Sequence, residues 1–282
     1  MQARQRVVRG LLAVLFFLAI AVALAFLVLP VVAIFTHVPV GRLLHEFSNP
    51  VVTDALVVSL KTIAVSQAAI LLLGTPTAYF LASRRFPGRP LLVTLVELPI
   101  VLPPAVAGLG LIVAFGRFGL LGSTFDALGI DVSFNQAAVV LAISLVAGPF
   151  YLRQAIASFE AVDQNLIAAS RTLGAGPVRT FFRITLPLAR GGLTAGEAIC
   201  IARGLGEFGA TIMFAGSLQG VTQTLPLAVY TTFEAQNGLD VALAISALLV
   251  IVSLAILLAL KGTGLWERSR PTAVAVSRRG PG

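Results

Sequence analysis

Charge is what this chain lacks. Asp, Glu, Lys and Arg make up 11% of its 282 residues, against roughly 25% in a soluble domain. Most of the chain therefore faces something other than water. Cysteine is nearly missing too. The single Cys200 excludes an intrachain disulfide and reads as a small buried hydrophobe. His37 and His45 stand without the partners a metal centre needs and read as solvated loop residues. The sequence holds no phosphate-cradling P-loop, no His-Glu-x-x-His, no Cys-x-x-Cys and no Gly-x-Ser-x-Gly. It therefore assigns no catalytic and no metal-binding residue, and no site for ATP of that kind.

What is present is apolar length. The chain is 57% hydrophobic, with mean hydropathy +0.97. Leu11–Phe35 and Val241–Leu260 carry no charge at all, and each reaches the roughly 20 residues that cross a hydrocarbon core. Ala55–Ala82, Leu91–Phe115, Ala137–Leu152 (extendable to Ser158) and Gly191–Ala215 complete six candidate spans. All six read as helices, because an open strand in lipid leaves backbone groups unpaired. Pro30, Pro76, Pro99, Pro103, Pro104 and Pro149 fall inside them and predict kinks. The expectation is an all-α integral membrane protein. Residues 1–50 form the first span with its flanks, 51–262 the core, and 263–282 a basic, disordered tail able to touch anionic lipid. The N-terminal run is too long for a signal-peptide core and reads as an uncleaved span.

The cations set the orientation. Arg4, Arg6, Arg9, Arg84, Arg85, Arg89, Arg153, Arg171, Arg179, Arg183, Arg190, Lys261, Arg268, Arg270, Arg278 and Arg279 all fall on one side of a six-span topology. The other side holds Arg42 and Arg117. Positive loops stay inside, so both termini are expected in the cytoplasm. This bias accounts for the sequence pI near 11.0 without a nucleic-acid partner.

Between the fourth and fifth spans lies Ala168–Pro187, AASRTLGAGPVRTFFRITLP. It is basic, amphipathic and cytoplasmic. Ala168, Ala169, Ser170 and Leu173 favour helix, and Gly174 can end it in a left-handed conformation. After Ala175, Gly176 and Pro177 turn the chain and start a second helix. There Phe181, Ile184 and Leu188 share one face at helical spacing, with Arg179 and Arg183 side by side on another. Such a segment can anchor at the membrane surface or dock on a protein.

The loop resembles the coupling loop of ABC importer permeases: Glu-Ala-Ala, three residues, Gly, then an aliphatic-x-Leu-Pro ending. Gly174 and Ile184–Pro187 match that pattern, and Phe159–Asp163 resembles its approach. Ala168 stands where the family has glutamate, which alters the contact this residue makes with an ATPase. Gly206–Gly216 (GEFGATIMFAG) and Thr222–Glu234 (TQTLPLAVYTTFE) resemble the molybdate group of these permeases, with sulfate, thiosulfate and tungstate permeases as neighbours. The resemblance implies a type I ABC importer permease architecture in a bacterial or archaeal plasma membrane, working as a two-fold dimer. It also implies a separate ATP-binding subunit that uses ATP and Mg, and an extracytoplasmic oxyanion-binding protein. This chain itself would bind no cofactor.

The fifth span carries the pathway or gate candidates Arg203, Glu207, Gly209, Thr211 and Met213. Arg203 and Glu207 lie four apart and can pair on one helix face. Alternatively, Arg203 meets the anion while Glu207 pairs with Lys61. Gly192 and Gly196 form a small-xxx-small pair for close helix approach. An ion-gradient transporter would want a midplane site with acidic relays and an internal repeat. A membrane enzyme would want a catalytic cluster. For the first the sequence offers only Glu207 and no repeat, and for the second no cluster.

Overall fold

The computed structural model describes residues 2–37, 39, 41, 45–129, 132–236 and 238–262. The tail and Arg42 lie outside the described residues. The chain forms α1 (Gln2–His37), α2 (Pro50–Ser83), α3 (Arg89–Val101), α4 (Pro104–Phe115), α5 (Gly122–Ala127), α6 (Gln136–Glu160), α7 (Gln164–Thr172) and α8 (Pro177–Thr180). A π-helical turn (Phe181–Thr185) leads into α9 (Leu186–Leu205), followed by α10 (Gly209–Ala215), α11 (Leu225–Glu234) and α12 (Leu239–Gly262). The described residues contain no strand.

Local chemistry sets the helix starts. Asn49 accepts from the Val51 amide at 3.0 Å with Pro50 at the first helical position of α2. Asn135 accepts from the Ala137 and Ala138 amides at 2.9 and 3.2 Å to cap α6. Asp163 accepts from Asn165 at 2.8 Å to cap α7. Each satisfies a first-turn donor that the helix leaves free.

Among the described residues, four helices are long and apolar enough to cross a membrane, and up to six spans result when each of two bent pairs counts as one. The segments expected as the third and fifth spans are therefore not single helices. The third breaks between α3 and α4 with a 116° bend. Proline donates no amide and disfavours helix in the residue before it; Leu102 ahead of Pro103–Pro104 is extended, at φ −72° and ψ 132°. The fifth runs as one helical path from Pro177 through the π turn to Leu205, then bends 58° into α10. It thus starts earlier than Gly191, because the second loop helix continues into it.

α6 is the axis of the chain. Ala138, Ala142, Val146, Ala147, Tyr151, Ala155 and Phe159 on it are buried, flanked by α2 and α9. Lipid is as apolar as leucine, so close approach and interhelical hydrogen bonds hold such a bundle. Gly192 leaves room for Ser158, and a Cβ on Gly196 would come within 2.9 Å of Gln154 Cβ. The small-xxx-small pair thus serves contact with α6 of the same chain. Thr75 on α2 shares a hydrogen bond with the Tyr151 hydroxyl at 2.6 Å. Cys200 is buried and donates to the Ala147 carbonyl at 3.2 Å. α1 lies outside this core, with α12 as its main neighbour.

Candidate functional site

Two regions carry the candidate residues: the loop on one side of the bundle and the C-terminal half of the fifth span. In the loop, α7 ends at Thr172 and Gly174 has φ +80°. The Gly174 amide donates to the Arg171 carbonyl at 2.9 Å, and the Ala175 amide to Ser170 at 3.0 Å. This pair of bonds is a Schellman motif, which occupies carbonyls the helix end leaves open. The left-handed turn read from the sequence is thus present. Gly176 is extended at ψ 165° and Pro177 opens α8, also as read.

Ala168, Ala169, Leu173, Gly174 and Gly176 are exposed, Leu173 at 87%. Val178 and Phe182 add exposed apolar surface beside Arg179 and Arg183. The loop thus presents apolar and cationic groups together. Inward, Ser170 and Thr180 are buried and share a hydrogen bond of 3.0 Å, which fastens α7 to α8. The sequence marks Ser170 as a loop residue but does not single out Thr180, since the hydroxyl pairing arises only once the turn at Gly174 is made.

The predicted face of Phe181, Ile184 and Leu188 needs correction. Phe181 and Ile184 are half-buried, but Leu188 is exposed, and Thr185 and Ala189 are buried instead. In the π turn the Leu186 amide donates to the Phe181 carbonyl, five residues back, so one extra residue rotates the rest of the helix. Pro187 is exposed at the start of α9. Phe181 packs on Tyr79 and Phe159, with ring centroids 4.6 and 6.1 Å away.

On the fifth span, Arg203 Nη1 lies 2.8 Å from Glu207 Oε2. The Arg203 side chain keeps 29% exposure and the Glu207 side chain 1%. Glu207 Oε1 also accepts from the Ala210 amide at 2.7 Å. One carboxylate therefore neutralises α9's last-turn cation and caps α10 across the bend. The pair was visible in the sequence and the contact with the Ala210 amide was not, because Glu is not among the residue types that mark a helix start at the N-cap. Lys61 is exposed, and Glu207 is already occupied by Arg203 and Ala210.

α10 is clamped to α4 by reciprocal glycines. A Cβ on Gly209 would lie 2.6 Å from Pro104 Cβ, and one on Gly108 would lie 2.7 Å from Met213 Cβ and 2.9 Å from the Ala210 carbonyl. Thr211 is fully buried. Met213 is 43% exposed and lines a cavity of about 760 Å³ with Ile112, Arg117, Phe134, Asn135 and Phe214 among others. The structure thus brings Arg203, Glu207 and Gly209 together around the bend, places Met213 at a cavity beyond it, and sets the loop residues apart from both.

Residues 71–263 match the family described as binding-protein-dependent transport system inner membrane component. The chain is 43% identical over 239 residues to the molybdenum transport system permease protein ModB of Mycobacterium tuberculosis, covering 83% of this chain and 88% of the relative. It is 39% identical over 207 residues to ModB of Escherichia coli, covering 70% and 90%. To the probable transport system permease protein NifC of Clostridium pasteurianum it is 32% identical over 251 residues, covering 88% and 86%. Among solved structures, a bacterial alginate ABC transporter aligns with TM-score 0.71 at 15% identity, covering 90% of this chain and 93% of that one. The MetNI methionine ABC transporter aligns with TM-score 0.59 at 20% identity, covering 78% and 97%. The helical bundle and these matches over most of its length have one meaning: the chain belongs to the binding-protein-dependent transport system inner membrane components, the permeases of ABC importers.

Proposed function

We propose that this chain is the membrane subunit of an ATP-driven oxyanion importer, with molybdate as its substrate. The observation that carries the substrate is the 43% identity, over 83% of the chain, to a permease named for molybdenum transport. Two copies enclose one pathway. An extracytoplasmic binding protein delivers the anion, and ATP with Mg is consumed by a separate ATPase subunit that grips residues 168–187. The exposed apolar and cationic groups around Gly174 suit such a grip, and the Ser170–Thr180 bond gives it a fixed shape.

The helical path from Pro177 to Leu205 extends about 40 Å at 1.5 Å per residue. Movement of the loop therefore reaches the Arg203–Glu207 pair directly. The pair leaves little unbalanced charge at the bend, so a passing dianion is held weakly there and released readily. Arg117 and Met213 lie at the outer cavity, on the side where delivery takes place.

This reading requires the loop and both termini to be cytoplasmic, as the cation asymmetry demands. Reporter domains fused after Arg89 and after Lys261 are expected to report cytoplasm, and one fused at Gly122 the outside. An external signal after Lys261 would sink both the orientation and the ATPase contact.

A further inference from the structure

The third span lies far in sequence from the loop, yet two fastenings join them. Arg89 opens α3. Its Nε donates to the Leu81 carbonyl at 2.7 Å, an acceptor in the last turn of α2 that the helix leaves open. Its Nη2 pairs with Glu160, which ends α6 just before the loop begins. At the loop's other end, Phe181 packs on Tyr79 of α2, which in turn meets Phe159 with centroids 5.5 Å apart. The corner at residues 79–89 is thus held to the chain both where it enters the loop and where it leaves. Along α3, Glu97 lies 3.5 Å from Arg153 of α6, so this arm follows α6 on its inner half. Beyond the 116° bend, α4 is clamped to α10 instead.

We propose that Arg89 and Glu160 are positioning residues that pass loop movement to the α2–α3 corner, and so to the inner arm of the third span. The inference rests on the permease reading above. It gives the importer two routes from one loop: along α9 to the bend at Glu207, and through Arg89 to α3. The pair suits the second route. A guanidinium presents a planar fork that holds direction, here bridging two helices at once. The two side chains keep 27% and 45% exposure, and exposed pairs contribute little to folding. Their removal should therefore disturb transmission more than stability.

The test uses the complete complex of permease, ATPase and binding protein in proteoliposomes, with labelled molybdate as probe. The quantity read is molybdate moved per ATP hydrolysed. Arg89→Gln retains a donor for Leu81 and loses the ion pair; the ratio is expected to fall about fivefold, within the range typical of altered coupling. The ATPase should still co-purify. The exchange Arg89→Glu with Glu160→Arg should recover most of the ratio, which a variant with a merely loosened fold would not. An unchanged ratio in Arg89→Gln, a fall that the exchange leaves in place, or loss of the ATPase from the Arg89→Gln complex would each overturn the proposal. Molybdate uptake without ATP by the unaltered protein would instead overturn the permease reading, and that result appears without any variant.

Discussion

Glu207→Ala is expected to destabilise the folded protein by about 3–5 kcal/mol, the usual cost of removing one partner from a buried ion pair. The carboxylate is almost wholly buried and meets Arg203 at 2.8 Å. Without it the guanidinium is left in a membrane span with no acid, and the Ala210 amide loses its acceptor at 2.7 Å. Glu207→Gln separates the two losses, because its amide oxygen can still accept from Ala210 while neutralising nothing. Arg203→Ala combined with Glu207→Ala removes both charges and should recover much of the stability. Thermal unfolding in detergent measures all of these. A Glu207→Ala protein as stable as the parent, or a double variant no better than the single, would contradict the paired reading. A double variant that folds well and moves no anion would assign Arg203 to the anion instead.

The second large effect is functional. Gly174 has φ +80° and a Cβ built on it meets nothing within 4 Å. Gly174→Asp therefore strains the backbone by about 1 kcal/mol but collides with no part of its own chain. The protein should insert and unfold close to the parent temperature. Its new side chain projects outward with a negative charge, into the surface we assign to the ATPase. Co-purification of the ATPase and uptake are each expected to fall at least about tenfold, equal to some 1.4 kcal/mol of lost contact. Gly174→Ala carries the same backbone strain without the charge and should fall less. Full transport by well-expressed Gly174→Asp would remove the loop from the contact.

The loop was legible because its chemistry is local. Gly174, Gly176 and Pro177 each act on their own backbone, and all three adopt the conformations their residue types favour. The face beyond them was not, because a π turn depends on what packs around Phe181 and Thr185, and one inserted residue moved Leu188 to the surface. The breaks in the third and fifth spans were half legible. Pro103–Pro104 announced a kink, but the 116° bend reflects where α4 finds its partner, and that partner is Gly209 from a distant segment. In the sequence Arg89 is one of several cations expected on the cytoplasmic side. Nothing in its sequence neighbourhood distinguishes it from Arg84 and Arg85; only the fold brings Leu81 and Glu160 to it. The pair Arg203–Glu207 was visible at helical spacing, whereas its second role needed the bend at Gly206 to be known.

The central claim is ATP-driven import of molybdate through this chain. The most direct measurement is uptake of labelled molybdate into proteoliposomes holding the permease, its ATPase and its binding protein, with and without ATP and Mg inside and with excess sulfate as competitor. The account predicts uptake that requires ATP, persists when ion gradients are collapsed, and yields little to sulfate. Uptake that follows an ion gradient and ignores ATP would contradict it, as would transport of a cation or a neutral sugar in place of the anion.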